Sequence, residues 1–195
     1  LVGSEMCIRD SIYGLDLGTY EIKVYDKKKN TVWKEKNVIA IANEEEIFSV
    51  GDEAYEMFEK APDNIEVVFP MKEGVISRFY DMQYLLNNLL KKERHFARGS
   101  KYVVAVPTDV TEVEKKAFFD LVVHSTAKAK EVNVVERAVA DAIGIGLDIQ
   151  NSPGICIVNL GSETTELSVL ASGGMVFNKL VKIGGTIFDN AISNL

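Results

Sequence analysis

The sequence predicts an α/β protein with mixed sheets flanked by helices, on three observations. Strand-like apolar runs alternate with segments of helical apolar spacing along the chain. The opening stretch instead reads as consecutive antiparallel strands, which makes the first sheet mixed. A strand–turn–strand motif at Asp16 returns at Asn159, which points to a duplicated architecture.

In order, residues 12–26 (IYGLDLGTYEIKVYD) alternate apolar and polar around Ile22 and Val24, as a half-buried strand does. Residues 27–30 read as a turn and 31–33 as the returning strand. Residues 38–42 and 47–50 are further short strands. Gly51-Asp52 opens a helix over 53–60, with Asp52 as N-cap and Pro62 as its stop. Leu85, Leu86, Leu89 and Leu90 form the apolar stripe of a helix over about 81–94. Residues 102–106 are continuously apolar, hence a buried strand, ended by Pro107. Thr111 and Glu114 have capping-box spacing and start a helix that reaches about Ala127. Residues 132–135 predict another buried strand and 136–144 a helix. Residues 146–154 are polar and turn-rich, and a domain boundary is expected there. Three strands follow at 155–160, 164–171 and 175–181, the last two joined by Ser172-Gly173-Gly174. A final helix starts near Thr186.

The 195 residues are 47% hydrophobic, enough for a sizeable core and for more than one domain. A net charge of −7 carries no basic footprint, so nucleic acid is not an expected partner. Cys7 and Cys156 form no CxxC and no disulfide framework, which fits a reducing, cytoplasmic compartment. Cys156 falls in a predicted buried strand and reads as a small hydrophobe. No apolar run has the length of a transmembrane helix. His95 and His124 show no metal-ligand spacing. Residues 1–11 (LVGSEMCIRDS) resemble a peptide translated from sequencing-adapter DNA and are expected to be a non-native tail, the alternative being a genuine flexible N-terminus. The chain stops inside the last predicted helix without a stop signal, so a fragment cut at both ends is expected.

The repeat carries the chemistry. Asp16-Leu17-Gly18-Thr19 and Asn159-Leu160-Gly161-Ser162 each end an apolar strand and precede a strand, a tight turn and a return strand. Such a turn exposes backbone N–H groups in a concave nest suited to phosphate. Glycine lets the phosphate approach without a Cβ in the way. The Thr or Ser hydroxyl adds a donor, and the Asp16 carboxylate can hold a hydrated Mg²⁺ that bridges phosphate oxygens. A single such motif is also what a plain hairpin turn looks like; the paired occurrence favours a triphosphate clamp.

These residues resemble a known family. GLDLGT (14–19) resembles the first phosphate loop of the actin, DnaK-type chaperone and sugar-kinase superfamily. VGDEAYEM (50–57), PMKEGVISRF (70–79), VPTDVTEVEKKA (106–117), DAIGIGL (141–147), LGSETTELSVL (160–170) and KIGGTIFDNAI (182–192) are similar to the MreB/Mbl bacterial actins. The resemblance runs from Ile12 to the end of the chain. It implies the duplicated, ribonuclease-H-like actin fold, with five-stranded mixed sheets flanked by helices. Residues 12–150 would be domain I (IA with its IB insertion) and 151–195 the start of an incomplete domain II. It further implies ATP and Mg²⁺ as cofactors. The candidate nucleotide-binding residues are Asp16, Gly18, Thr19, Gly161, Ser162, Thr164 and Thr165, with Asp16 also metal-associated through water.

The departures bear on hydrolysis. The family's helix after the strand at 132–135 usually begins Glu-Glu-Pro, and its second Glu orients the attacking water; here the sequence is Glu136-Arg137-Ala138. The second loop usually reads Asp-Ile-Gly-Gly-Gly-Thr-Thr-Glu, and here Asn159, Ser162 and Glu163 replace the Asp and two glycines. The first loop usually continues Ala-Asn or Ser-Asn, and here it is Tyr20-Glu21. Arginine cannot act as a base, and loss of a general base typically costs about 10²–10⁴ in rate. Glu163 and Glu21 bring carboxylates toward phosphates, which should repel them unless the side chains point away. The expectation is weakened nucleotide binding with slow or absent hydrolysis; the alternative is that Glu136 shifts by one position and serves instead.

Lys91 to Lys101 form a local basic cluster in which Phe96 and Arg98 are candidate membrane contacts. Each cation near an anionic bilayer contributes about 1 kcal/mol. The same cations also complement a solvated helix C-terminus. The resemblance implies self-association into filaments at the inner face of the cell membrane, organising cell-wall synthesis with the elongation machinery as partner. The alternatives are a regulatory pseudo-actin, or a chaperone or sugar kinase of the superfamily; no signature for a sugar pocket is present.

Overall fold

The structure, a computed structural model, describes residues 11–43, 46–92 and 99–194. Phe96 and Arg98 lie outside the described residues. β1 (Ile12–Leu17), β2 (Glu21–Asp26) and β3 (Thr31–Lys36) follow one another antiparallel. Their alternation puts Tyr13, Leu15, Leu17, Ile22 and Val24 into the core. β4 (Ile39–Ala42) is buried along its length and is followed by β5 (Glu46–Val50).

α1 (Asp52–Tyr55) is a single turn, shorter than the predicted 53–60. Asp52 is its first residue and not its N-cap. Gly51 takes the cap position at φ 68°, and the Asp52 N–H donates to Glu35 Oε1 at 2.7 Å. The cap therefore comes from a neighbouring strand, which local sequence does not reveal. Beyond it, the N–H groups of Met57, Phe58 and Lys60 bond three residues back, so tight turns replace the helix. β6 (Ile65–Val68) completes a small sheet of order β5-β4-β6.

β7 (Met71–Lys72) and β8 (Val75–Ile76) form a hairpin over Glu73-Gly74. Both turn residues have positive φ, 52° and 84°, as a type I′ turn requires. α2 (Phe79–Lys92) buries Met82 and the four predicted leucines. β9 (Lys101–Val106) inserts parallel to β1. α3 (Glu112–Val123) starts with the expected capping box and ends at His124, short of Ala127.

β10 (Glu131–Glu136) pairs parallel with β9 and stands at the edge of a five-stranded mixed sheet of order β10-β9-β1-β2-β3. It is half-exposed rather than buried, because an edge strand has a neighbour on one side only. The core lies between this sheet and α2 and α3, where Leu86, Leu89, Phe118 and Leu121 pack with Tyr13, Leu17, Ile22 and Val104. α4 (Arg137–Gly144) follows β10 directly, with Glu136 as N-cap.

β11 (Ile155–Leu160), β12 (Thr165–Ala171) and β13 (Gly174–Val181) make a second, antiparallel sheet, and α5 (Gly185–Ser193) follows. The β12–β13 turn is Ser172-Gly173, and Gly174 already belongs to β13. β11 starts and ends 143 residues after β1. Cys156 is exposed with Val158 and Leu160 on one side of β11, so the expectation of a buried cysteine fails. The apolar alternation there is real, but the described chain leaves that side of the sheet uncovered.

Candidate functional site

The two repeated turns close in the same way. The Gly18 N–H donates to the Glu21 carbonyl at 3.2 Å, and the Gly161 N–H donates to the Thr164 carbonyl at 2.8 Å. A Cβ at Gly18 would stand 2.7 Å from the Glu21 oxygen, and one at Gly161 would stand 2.9 Å from the Thr164 oxygen. Both turns thus need glycine for close approach of their own backbone.

They open on one cavity of about 440 Å³ lined by Asp16, Gly18, Thr19, Gly161, Ser162 and Thr164. Thr165, also a candidate, is not among the lining residues; its Oγ1 donates to the Ile183 carbonyl at 2.7 Å. Thr164 stands just before β12, of which Thr165 is the first residue. Glu136 does not line it either, whereas Arg137 does. Sequence reasoning missed Lys23 and Gly74, which also line it. Lys23 could have been found, since it stands opposite Asp16 in the β1–β2 register. Gly74 comes from a distant hairpin and left no signal.

Thr19 is buried, and its Oγ1 accepts the Gly74 N–H at 3.2 Å, leaving its own hydrogen free to donate. The Glu163 carboxylate is engaged away from any phosphate: its Oε2 accepts the Glu73 N–H at 2.5 Å. Glu73 in turn forms an ion pair with Lys182. That hydrogen-bonded pairing holds the Glu73 carboxyl below its ordinary pKa and the Lys182 ammonium above its own. The N–H groups of Gly185 and Thr186 at the head of α5 donate to the carbonyls of Gly161 (3.0 Å) and Ser162 (2.8 Å), which fixes the second turn from behind.

The charges around Asp16 decide what the cavity can hold. Lys23 Nζ lies 2.9 Å from Asp16 Oδ2, and Arg137 Nη2 lies 3.8 Å from Asp16 Oδ1. Asn159 is neutral, and its Nδ2 donates to Asp141 Oδ2 at 2.7 Å. Glu21, the other lining carboxylate, faces Lys34 at 3.7 Å. Mg²⁺ takes oxygen ligands in a near-octahedral array, usually several waters with substrate phosphates and one or two carboxylates. Here a divalent ion at Asp16 would sit beside two fixed cations, and the second carboxylate of the pair is an amide. These residues do not fit the implied metal.

A mixed sheet whose first three strands are repeated in a second sheet, with the paired turns meeting at one cavity, is the architecture of an actin-like protein. The solved MamK double helical filament matches at a TM-score of 0.75 and 20% identity, covering 94% of this chain and 57% of its own, a likeness of fold alone. The chain belongs to the MreB/Mbl family, whose model, MreB/Mbl protein, matches residues 10–195. The cell shape-determining protein MreB of Escherichia coli K12 is 35% identical over 188 residues, 92% of this chain and 54% of that protein. The cell shape-determining protein Mbl of Bacillus subtilis 168 is 33% identical over 184 residues, 93% of this chain and 55% of that protein. The crystal structure of MreB 5 of Spiroplasma citri bound to AMPPNP matches with a TM-score of 0.87 at 28% identity, covering 95% of this chain and 56% of that one. The chain spans about half the length of the curated relatives it matches.

Proposed function

We propose that this chain carries part of a cell-shape-determining, actin-like cytoskeletal protein that binds ATP between its two repeated turns and assembles with its own copies into filaments. The observation that carries this reading is the matched pair of glycine turns opening on one cavity. The relative bound to AMPPNP supports the ligand, and the cell shape-determining relatives support the role. The exposed N–H groups of the turns and the Thr19 and Ser162 hydroxyls would bind phosphate oxygens, with Lys23 and Arg137 supplying charge. Filament growth would be head to tail, a heterologous contact that does not close.

Hydrolysis is slow or absent in this reading. Arg137 lines the cavity where a base would be required, and a guanidinium accepts no proton. The filaments would lie at the inner face of the cell membrane and organise wall synthesis with the elongation machinery. No described helix is long and apolar enough to cross a membrane.

Sedimentation of the full chain with and without ATP tests the reading. ATP-dependent pelleting is expected, with phosphate release about 10²-fold or more below that of a relative bearing a carboxylate at the position of Arg137. Pelleting indifferent to nucleotide would replace it with a pseudo-actin scaffold, and turnover matching that relative would sink the slow-hydrolysis part.

A further inference from the structure

The residues around Asp16 carry one step more, resting on the ATP reading above. We propose that this cleft binds the polyphosphate of a nucleoside di- or triphosphate without a divalent metal, with the Arg137 guanidinium standing where the cation would stand.

Three observations meet here. First, both carboxylates that line the cavity already face cations, Asp16 with Lys23 at 2.9 Å and Arg137 at 3.8 Å, and Glu21 with Lys34 at 3.7 Å. A divalent ion would have to displace fixed positive charges before it gained Asp16. Second, Arg137 is only 12% exposed, lines the cavity, and keeps its buried Nε without a hydrogen-bond partner. A buried donor left unmade is costly. The planar guanidinium fork of a cavity-lining arginine matches phosphate oxygens two at a time. Third, the carboxylate that would repel phosphate from the second turn is used elsewhere, since Glu163 accepts the Glu73 N–H.

Arg137 is placed for this by its element. It is the first residue of α4, immediately beyond the end of β10, beside the Asp16 end of the parallel sheet. Asp16 then serves to orient the two cations rather than to ligate a metal. Arg137 bears on both the base and the metal, because the guanidinium that cannot take a proton is also a group that takes the charge.

Titration of the full chain with ATP by calorimetry, in excess Mg²⁺ and again in excess EDTA, tests this without relying on turnover. The Kd is expected to agree within about threefold between the two conditions, and Arg137→Ala is expected to weaken binding in EDTA by about tenfold or more, the worth of a charged hydrogen bond. Arg137→Lys, which keeps the charge and loses the fork, should fall between. Tight binding in Mg²⁺ that EDTA abolishes would overturn metal independence and leave the ATP reading standing. Binding equal in both conditions but unchanged in Arg137→Ala would overturn the role of Arg137. No binding in either condition would overturn the ATP reading and this inference with it.

Discussion

At Thr111 the backbone N–H and the side-chain hydroxyl both donate to the Glu114 carboxylate, each at 2.7 Å, and they hold its pKa below the ordinary value. A carboxylate depressed in the folded state stabilises above its unfolded pKa, and that contribution is lost as pH falls through the folded pKa. Thr111→Ala is expected to cost about 1 kcal/mol at neutral pH. The gap to the unsubstituted chain should narrow in acid, and urea unfolding at about pH 7 and about pH 3 checks it; a gap indifferent to pH would remove Glu114 from the account. This cap was legible because both partners lie within four residues. The cap of α1 was not, because Glu35 reaches Asp52 from seventeen positions away. The same distinction separates Thr165 from Thr164: the motif names both, and only the folded chain shows that Thr164 lines the cavity while Thr165 bonds the Ile183 carbonyl.

The β7–β8 hairpin is one of the elements that join the two halves. Its tip takes two positive φ values, one of them at the non-glycine Glu73. That conformation is held by Glu163 and Lys182 from the second sheet and by Thr19 from the first. Removing the acceptor in Glu163→Ala should speed amide hydrogen exchange at Glu73 by about tenfold, while the amides of α3 keep their protection. Uniform protection across the variant would mean that the hairpin stands without the strap. From the sequence, Glu163 read as a charge that repels phosphate unless it points away. The structure spends it on a backbone N–H ninety positions earlier, and no local pattern announces such a bond.

Across the whole molecule the cleft couples ligand to fold, because both turns and the hairpin meet there. ATP at about a hundred times its Kd should stabilise the chain by about 2.7 kcal/mol. For a chain of this size that corresponds to a rise in Tm of about 5–11 °C, readable by thermal unfolding; an unmoved Tm at saturating ATP would count against binding at the cleft. The uncovered side of the second sheet, with Val158 and Leu160 exposed, shows why burial at Cys156 was misjudged: alternation tells which residues share a face, not whether anything covers it. The sequence by itself determined the alternation of strands and helices and the 143-residue repeat, and six of the seven residues it nominated for nucleotide line one cavity. Those signals are local, set by side-chain period and by turns that only glycine fits. Only the tertiary structure decided that Arg137 enters the cavity in place of Glu136, that Arg137 joins Lys23 at Asp16, and that Glu163 bonds the Glu73 N–H instead of lining the cavity. Such contacts act through space between segments far apart in the chain, so their outcome appears only once the sheets are in place.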